Sequence, residues 1–146
     1  MEIYKAADRN EFMPLLLIAD EQESMIGEYI DKGEMYVLDD GGVKGEILVA
    51  DAGGGVLEIK SLAVDPSYRR RGAGRMLIDF VKEEYRGRFR QLLVGTGDSP
   101  ATIPFYEKCG FRRAFSVKDF YITRYDHPIV EDGVLLRDKV YLVQEL

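Results

Sequence analysis

The period of the apolar positions changes several times along the chain, and each change marks an element. Residues 3–6 read as a short strand, after which Phe12, Leu15, Leu16 and Ala19 recur at helical spacing, interrupted only by Pro14, which a first turn tolerates. Met25, Ile26, Tyr29 and Ile30 form a second helical stripe that Gly33 is placed to end. Three strand patterns follow, over 35–38, 43–50 and 56–64, separated by Asp39-Asp40-Gly41-Gly42 and by Gly53-Gly54-Gly55. Such short turn-rich separators predict an antiparallel meander. The helical period returns at Ala73, Met76, Leu77, Phe80 and Val81, and Gln91-Leu92-Leu93-Val94 then reads as a fifth strand. A strand, a helix and a strand in succession predict a parallel pair joined by a right-handed crossover. A last helix ends at Gly110, residues 111–115 begin a strand, and residues 139–144 form the closing one. Between them, residues 116–138 carry Phe120, Tyr121, Tyr125, His127, Pro128 and Gly133 at spacings that fit neither a sustained helix nor one alternating strand. An excursion of that length in a compact domain is often a binding or interface element.

The helix that begins near Gly72 is preceded by Ser67-Tyr68-Arg69-Arg70-Arg71, and its first turn reads Gly72-Ala73-Gly74-Arg75. The first amides of a helix have no partners within it. Together with the positive end of the helix dipole they stabilise phosphate oxygens, and glycine permits close approach. With Arg69, Arg70, Arg71 and Arg75 adding charge, the segment is suited to a pyrophosphate. The run of Gly53, Gly54 and Gly55 sits between two strand patterns with no Gly-Lys-Ser/Thr after it, so it reads as a hairpin turn and not as a phosphate loop.

Composition narrows the ligand. The chain has 146 residues, enough for one domain over 1–146 with a core of its own, and no linker is expected. Its formal net charge of −6 argues against a nucleic-acid partner, so the arginine cluster is local and suits one small polyanion. No basic-then-apolar leader and no apolar run near the ~20 residues of a bilayer span are present; no membrane partner is expected, and a cytoplasmic location follows by default. A single cysteine, Cys109, excludes an internal disulfide, and one histidine beside it makes a structural zinc site improbable.

Arg69-x-x-Gly72-x-Gly74 resembles the acyl-CoA-binding signature of the GNAT acetyltransferase superfamily, and two flanking pieces extend the resemblance over the centre of the chain. Leu57 to Pro66 looks like the family's fourth strand, and Phe105-Tyr106-Glu107-Lys108-Cys109-Gly110-Phe111 looks like its Phe-Tyr-x-x-x-Gly-Phe element. The resemblance implies an α+β fold of the GNAT acyl-CoA N-acyltransferase type. Its twisted, mixed, mostly antiparallel sheet carries helices on both faces, and its parallel strands four and five splay apart to admit the pantetheine arm of CoA. It implies acetyl-CoA as co-substrate, no metal, and N-acetyl transfer to a primary amine by direct attack. Leu62, Ala63 and Val64 would pair with the pantetheine, and Arg69, Arg70, Arg71, Gly72, Ala73, Gly74 and Arg75 would hold the pyrophosphate. Many relatives place a CoA-contacting asparagine at the end of strand five; Ser99 stands there in this chain, beside Asp98.

Such a transfer needs a neutral attacking nitrogen, a stabilised carbonyl oxygen and an acid for the departing thiolate. By the resemblance Tyr106 is the acid, against the alternative of a packing tyrosine. Glu58 aligns with the strand-four glutamate that serves as base in histone-type members, against the alternative of a water chain. His127 is a weaker candidate base, because a lone loop histidine is usually solvated. Cys109, without a paired histidine, reads as a packing residue. The first two helices carry Glu11, Asp20, Glu21, Glu23, Glu28 and Asp31, either a field for a cationic small-molecule amine or a solvated surface. Residues 116–138 are expected to cover the acceptor site, to form a homodimer contact, or both. A rival of another class is a non-catalytic acyl-CoA-binding module.

Overall fold

A computed structural model describes residues 1–146. The chain opens with β1 (Glu2–Lys5), a short 3-10 turn over Arg9–Phe12, and α1 (Met13–Ala19), whose Pro14 sits in the first turn as the sequence predicts. Helix α2 (Glu23–Ile26) is shorter than its apolar stripe suggested. Glycine at position 27 costs a helix interior about 1 kcal/mol relative to alanine. Successive turns replace the helix over 27–32, and Arg9 takes the carbonyls of Ile30, Lys32 and Gly33 that a longer helix would have left over. The stripe still faces inward, with Met25, Ile26 and Ile30 buried.

The meander follows as β2 (Glu34–Asp39), β3 (Val43–Gly53) and β4 (Val56–Val64). A two-residue turn at Gly54 and Gly55, both at positive φ, joins the last two, as a hairpin of this twist requires. A crossover through α3 (Ala73–Tyr85) leads to β5 (Gln91–Gly97), then come α4 (Ile103–Lys108) and β6 (Arg112–Val117). The irregular stretch resolves into α5 (Phe120–Thr123) and a small hairpin of β7 (Val130–Glu131) and β8 (Val134–Leu135), before β9 (Lys139–Glu145).

One seven-stranded sheet runs β1-β2-β3-β4-β5-β9-β6. It is antiparallel throughout except at β4 and β5. Its faces bury different clusters. On one, α3 offers Ala73, Leu77, Ile78 and Val81 to Leu38, Ile47, Val49 and Leu57, with Ile103 and Tyr106 of α4 in the same cluster. On the other, Leu16, Ile26 and Ile30 of the α1–α2 region pack on Met35, Val37 and Leu48. Alternation along β2 and β3 therefore serves two helical layers, so both strands read as nearly continuous apolar runs.

Candidate active site

The parallel register between β4 and β5 runs only from Val56↔Gln91 to Ile59↔Val94. On the other edge of β4, Leu48 pairs Ser61 while Val49 pairs Ile59, so Lys60 is the extra residue of a bulge. A bulge bends its strand and increases the local twist. Beyond Lys60, β4 stays with β3 and parts from β5, leaving an opening between residues 60–64 and 95–97. A cavity of about 730 Å³ occupies this opening, and its lining includes Glu58 to Val64, Val94 to Thr96 and Tyr106. Asp20, Met25 and Tyr29 of the α1–α2 region line it as well, and so do Phe120, Tyr121 and Tyr125, the last bonded to Asp20 at 2.9 Å.

At the far end of β4 the chain turns through a 3-10 segment capped by Asp65 and enters the arginine turn. Arg69 lines the cavity. Arg70 has φ 64° and Gly72 φ 78°, so two residues of this turn adopt the left-handed conformation. Arg70 bears a Cβ in a region that favours glycine, a strain typical of functional loops. Gly72 caps α3 with no side chain bonded to the helix amides, and residues 69–72 are exposed. The turn therefore offers free N–H groups and three arginines with no carboxylate partner to one region of solvent. Arg71 lies over the Tyr68 ring at 4.9 Å. Arg75 is differently placed: its Nη1 donates to the Lys108 carbonyl at 3.1 Å and its Nε faces Asp79 at 4.0 Å, which ties α3 to the end of α4. Gly74 also serves that packing, since a Cβ there would lie 3.0 Å from the Phe105 ring.

Leu62, Ala63 and Val64 line the cavity on the free edge of β4, which the parting from β5 leaves without a ladder partner. Ser99 does not line it. Only 1 % exposed, its Oγ accepts the Ala101 N–H at 3.1 Å and so closes the turn before α4. Thr96 and Thr102, bonded to each other at 2.8 Å, stand on the cavity wall at this end of β5.

Tyr106 packs edge-on against Phe105 and Phe111 within the α3-side cluster, yet its ring borders the cavity through the gap between the strands. Burial pushes its phenol up, and no hydrogen bond ties the hydroxyl to the protein. Glu58, 8 % exposed, borders the same cavity and pairs with Lys60 at 3.1 Å. Helix α4 and strand β4 thus bring the two predicted catalytic residues to one cavity. His127 is held by Asp126 and Glu21, whose carboxylates raise its pKa; it links the late loop to the α1–α2 loop on the surface. Cys109 is buried in the core cluster, and burial raises its thiol pKa.

Glu46 is the acid that the sequence pattern hid. It stands on β3 within the run from Val43 to Ala50, fully buried, with Ser61 Oγ donating to its Oε1 at 2.6 Å and no partner for Oε2. Burial raises its pKa to about 8, against the Ser61 bond, so the group is largely a neutral acid near pH 7. Ser61 separates it from the cavity. A carboxylate directly before the apolar residues 47–50 was the available signal.

No group of three or more His, Cys, Asp or Glu side chains is placed to hold a metal ion, and no helix is long and apolar enough to cross a membrane. Residues 31–113, more than half of the chain, match the acetyltransferase (GNAT) domain. The chain belongs to the GNAT acetyltransferase family. This GNAT domain is 31% identical over 140 residues to the uncharacterized N-acetyltransferase YvbK of Bacillus subtilis (strain 168), covering 94% of this chain and 90% of that protein. Among solved structures, IAA acetyltransferase from Bacillus cereus ATCC 14579 superposes with a TM-score of 0.92 at 32% identity, covering 99% of both chains. A GNAT family acetyltransferase from Elizabethkingia anophelis, solved with acetyl-CoA bound, also gives a TM-score of 0.92, at 29% identity over 99% of this chain and 97% of that one. The α+β GNAT fold is thereby shared at full length.

Proposed function

We propose that this GNAT domain moves an acetyl group from acetyl-CoA to the primary amine of a small molecule by direct attack. The observation that carries the reading is the single cavity that joins the free edge of β4 to Arg69 at one end and meets Tyr106 and Glu58 on its walls. The similarity to a structure with acetyl-CoA bound supports that co-substrate. The residues present fit it: a free strand edge for an amide-bearing arm, then exposed amides and arginines for a pyrophosphate.

Acetyl-CoA supplies the acetyl group as substrate. In this reading the edge of Leu62, Ala63 and Val64 orients the arm, and Arg69, Arg70 and Arg71 with the amides of Gly72, Ala73 and Gly74 hold the phosphates. Arg75 contributes through its bond to α4, and Ser99 through the turn it closes. Glu58 receives a proton from the attacking amine, with Lys60 holding the carboxylate in place. Tyr106 returns a proton to the departing sulfur: burial keeps its phenol protonated, so the hydroxyl is available as the donor when the carbon–sulfur bond breaks. Glu46 is unsuited to the base role near neutral pH because it is already largely protonated.

The test measures thiol release with a panel of amines, alongside the melting shift produced by acetyl-CoA. Acceptor-dependent release is expected, and Arg71→Glu, an exposed change, should reduce the melting shift of the parent, which amounts to about 2.7 kcal/mol of stabilisation at a hundredfold excess over Kd. Tight acetyl-CoA binding without release from any amine would favour a binding module, and an unchanged shift in Arg71→Glu would remove the phosphate assignment.

A further inference from the structure

The aromatic side of the cavity contains a cation that acetyl transfer, as described, leaves without a task. Lys139 begins β9, and its side chain crosses Gly95 of the neighbouring β5. A Cβ at Gly95 would stand 2.4 Å from Lys139 Cε and 2.8 Å from Tyr141 Cε1. A glycine inside a strand weakens it unless something must approach closely, and here the bare backbone seats the lysine stem and the tyrosine ring. The ammonium lies 4.6 Å from the Phe120 ring centroid and 5.1 Å from that of Tyr141.

The four charged groups whose fields reach Lys139, Glu58, Lys60, Asp20 and Arg124, are already engaged. Glu58 faces it but pairs with Lys60, Asp20 accepts from Tyr125 at 2.9 Å and from Tyr29, and Arg124 is bonded to Glu28 at 3.0 Å. Lys139 has no ion pair and no hydrogen bond with the protein, so its three donors meet only ring faces and the cavity. Burial draws its pKa down, a penalty that an anion in the cavity would offset. The cationic acceptor expected from the acidic helices finds less support: of those six acids only Asp20, Glu21 and Glu28 line the cavity, held by Tyr125, His127 and Arg124.

We propose that Lys139 recognises the acceptor, and that the acceptor is a small amino-carboxylate: its carboxylate takes the Lys139 ammonium and its apolar or aromatic body lies against Phe120, Tyr121 and Tyr125. This inference rests on the acetyl-transfer reading for its amine. It assigns a specificity residue on β9, outside the predicted acyl-CoA and proton-transfer residues, and it gives Gly95 a reason. A charge-assisted hydrogen bond of this kind is worth enough to change affinity about tenfold or more.

The experiment compares L-phenylalanine with phenethylamine, which lacks only the carboxylate, and with spermidine as a polycation, in the parent protein, Lys139→Met and Gly95→Ala. The parent should favour phenylalanine over phenethylamine by about tenfold or more in kcat/KM. Lys139→Met should bring that ratio towards one, chiefly through KM. Gly95→Ala should move it in the same direction by displacing the stem. Binding of 3-phenylpropanoate, phenylalanine without its amine, is measured by calorimetry in the presence of acetyl-CoA and should weaken about tenfold or more in Lys139→Met. Preference for phenethylamine or spermidine, or a ratio and carboxylate affinity untouched by Lys139→Met, overturns the proposal, as does absence of carboxylate binding in the parent. If the carboxylate binds through Lys139 while no amine is acetylated, recognition stands and acetyl transfer is what fails.

Discussion

Glu46 stands in the core with one oxygen satisfied by Ser61 and the other by nothing, so ionising it would strand a negative charge among apolar side chains. Its folded pKa of about 8 lies above the ordinary 4.5, which fixes the sign of the pH dependence. The stabilisation associated with its bound proton is complete below about 4.5 and is lost as pH rises through about 8, because the folded state holds a proton that the unfolded state has released. Urea melts from pH 5 to 9 should show the parent losing stability relative to Glu46→Gln over that window; parallel curves would mean that Glu46 ionises freely in the fold. Tyr106 supports a kinetic prediction. Since water can partly replace an absent acid, Tyr106→Phe should lower kcat by about a hundredfold or less while the acetyl-CoA melting shift persists. Full activity would leave the ring a packing role against Phe105 and Phe111 alone. Tyr106 was legible in sequence because it sits in a contiguous motif. Glu46, Ser61 and Lys139 were not, because their meaning comes from neighbours on other strands that no local spacing encodes.

The bulge at Lys60 is the element-scale feature that organises the site, since it separates β4 from β5 where the cavity opens. Sequence periodicity located both strands and their parallel sense, because alternation and turn residues are local; it placed no bulge, because one unpaired residue leaves the apolar pattern of 56–64 nearly intact. The same limit applies at Gly74. In the sequence it reads as a glycine that lets phosphate approach the start of α3; its missing Cβ also makes room for Phe105 and so lets α3 and α4 pack. Gly74→Ala is therefore a packing test. The added methyl would press on the end of the Phe105 ring at 3.0 Å, and overpacking of this kind costs about 1–3 kcal/mol. Denaturant melts should show that loss with the acetyl-CoA shift largely retained, because alanine keeps the amide that faces the phosphate; a lost shift at unchanged stability would mean that the methyl obstructs the phosphate and not the Phe105 ring. Helix α2 was overextended in the sequence reading for a related reason: its stripe continues to Ile30, but Gly27 converts the second half to turns that bury the same residues.

At the scale of the molecule, residues 116–138 form a strap that joins the late strands to the α1–α2 layer across the cavity. Tyr125 donates to Asp20, Arg124 to Glu28 at 3.0 Å, and the Asp126 amide to Gln22 Oε1 at 3.1 Å, each over about a hundred residues of sequence. These bonds explain why the segment resisted a periodic reading: its residues are selected for contacts with a distant layer and with the cavity, and not for one sheet or helix face. Phe120, Tyr121 and Tyr125 pack on one another, with the two tyrosines stacked at 5.4 Å, and all three border the cavity. The arginine turn leads into the start of α3, and of its arginines only Arg71 lies over a ring, that of Tyr68. Replacing the three rings with serine should therefore separate two functions of one cavity. Acceptor KM is expected to rise about tenfold or more, since aromatic rings offer a large apolar area against which a small body can rest. The acetyl-CoA melting shift should remain, because no cation–π pair joins the arginines of that turn to these rings. Should acceptor kinetics and sedimentation both match the parent, the rings only pack locally; a change in sedimentation with unchanged acceptor KM would instead assign the strap to a contact between copies of the chain.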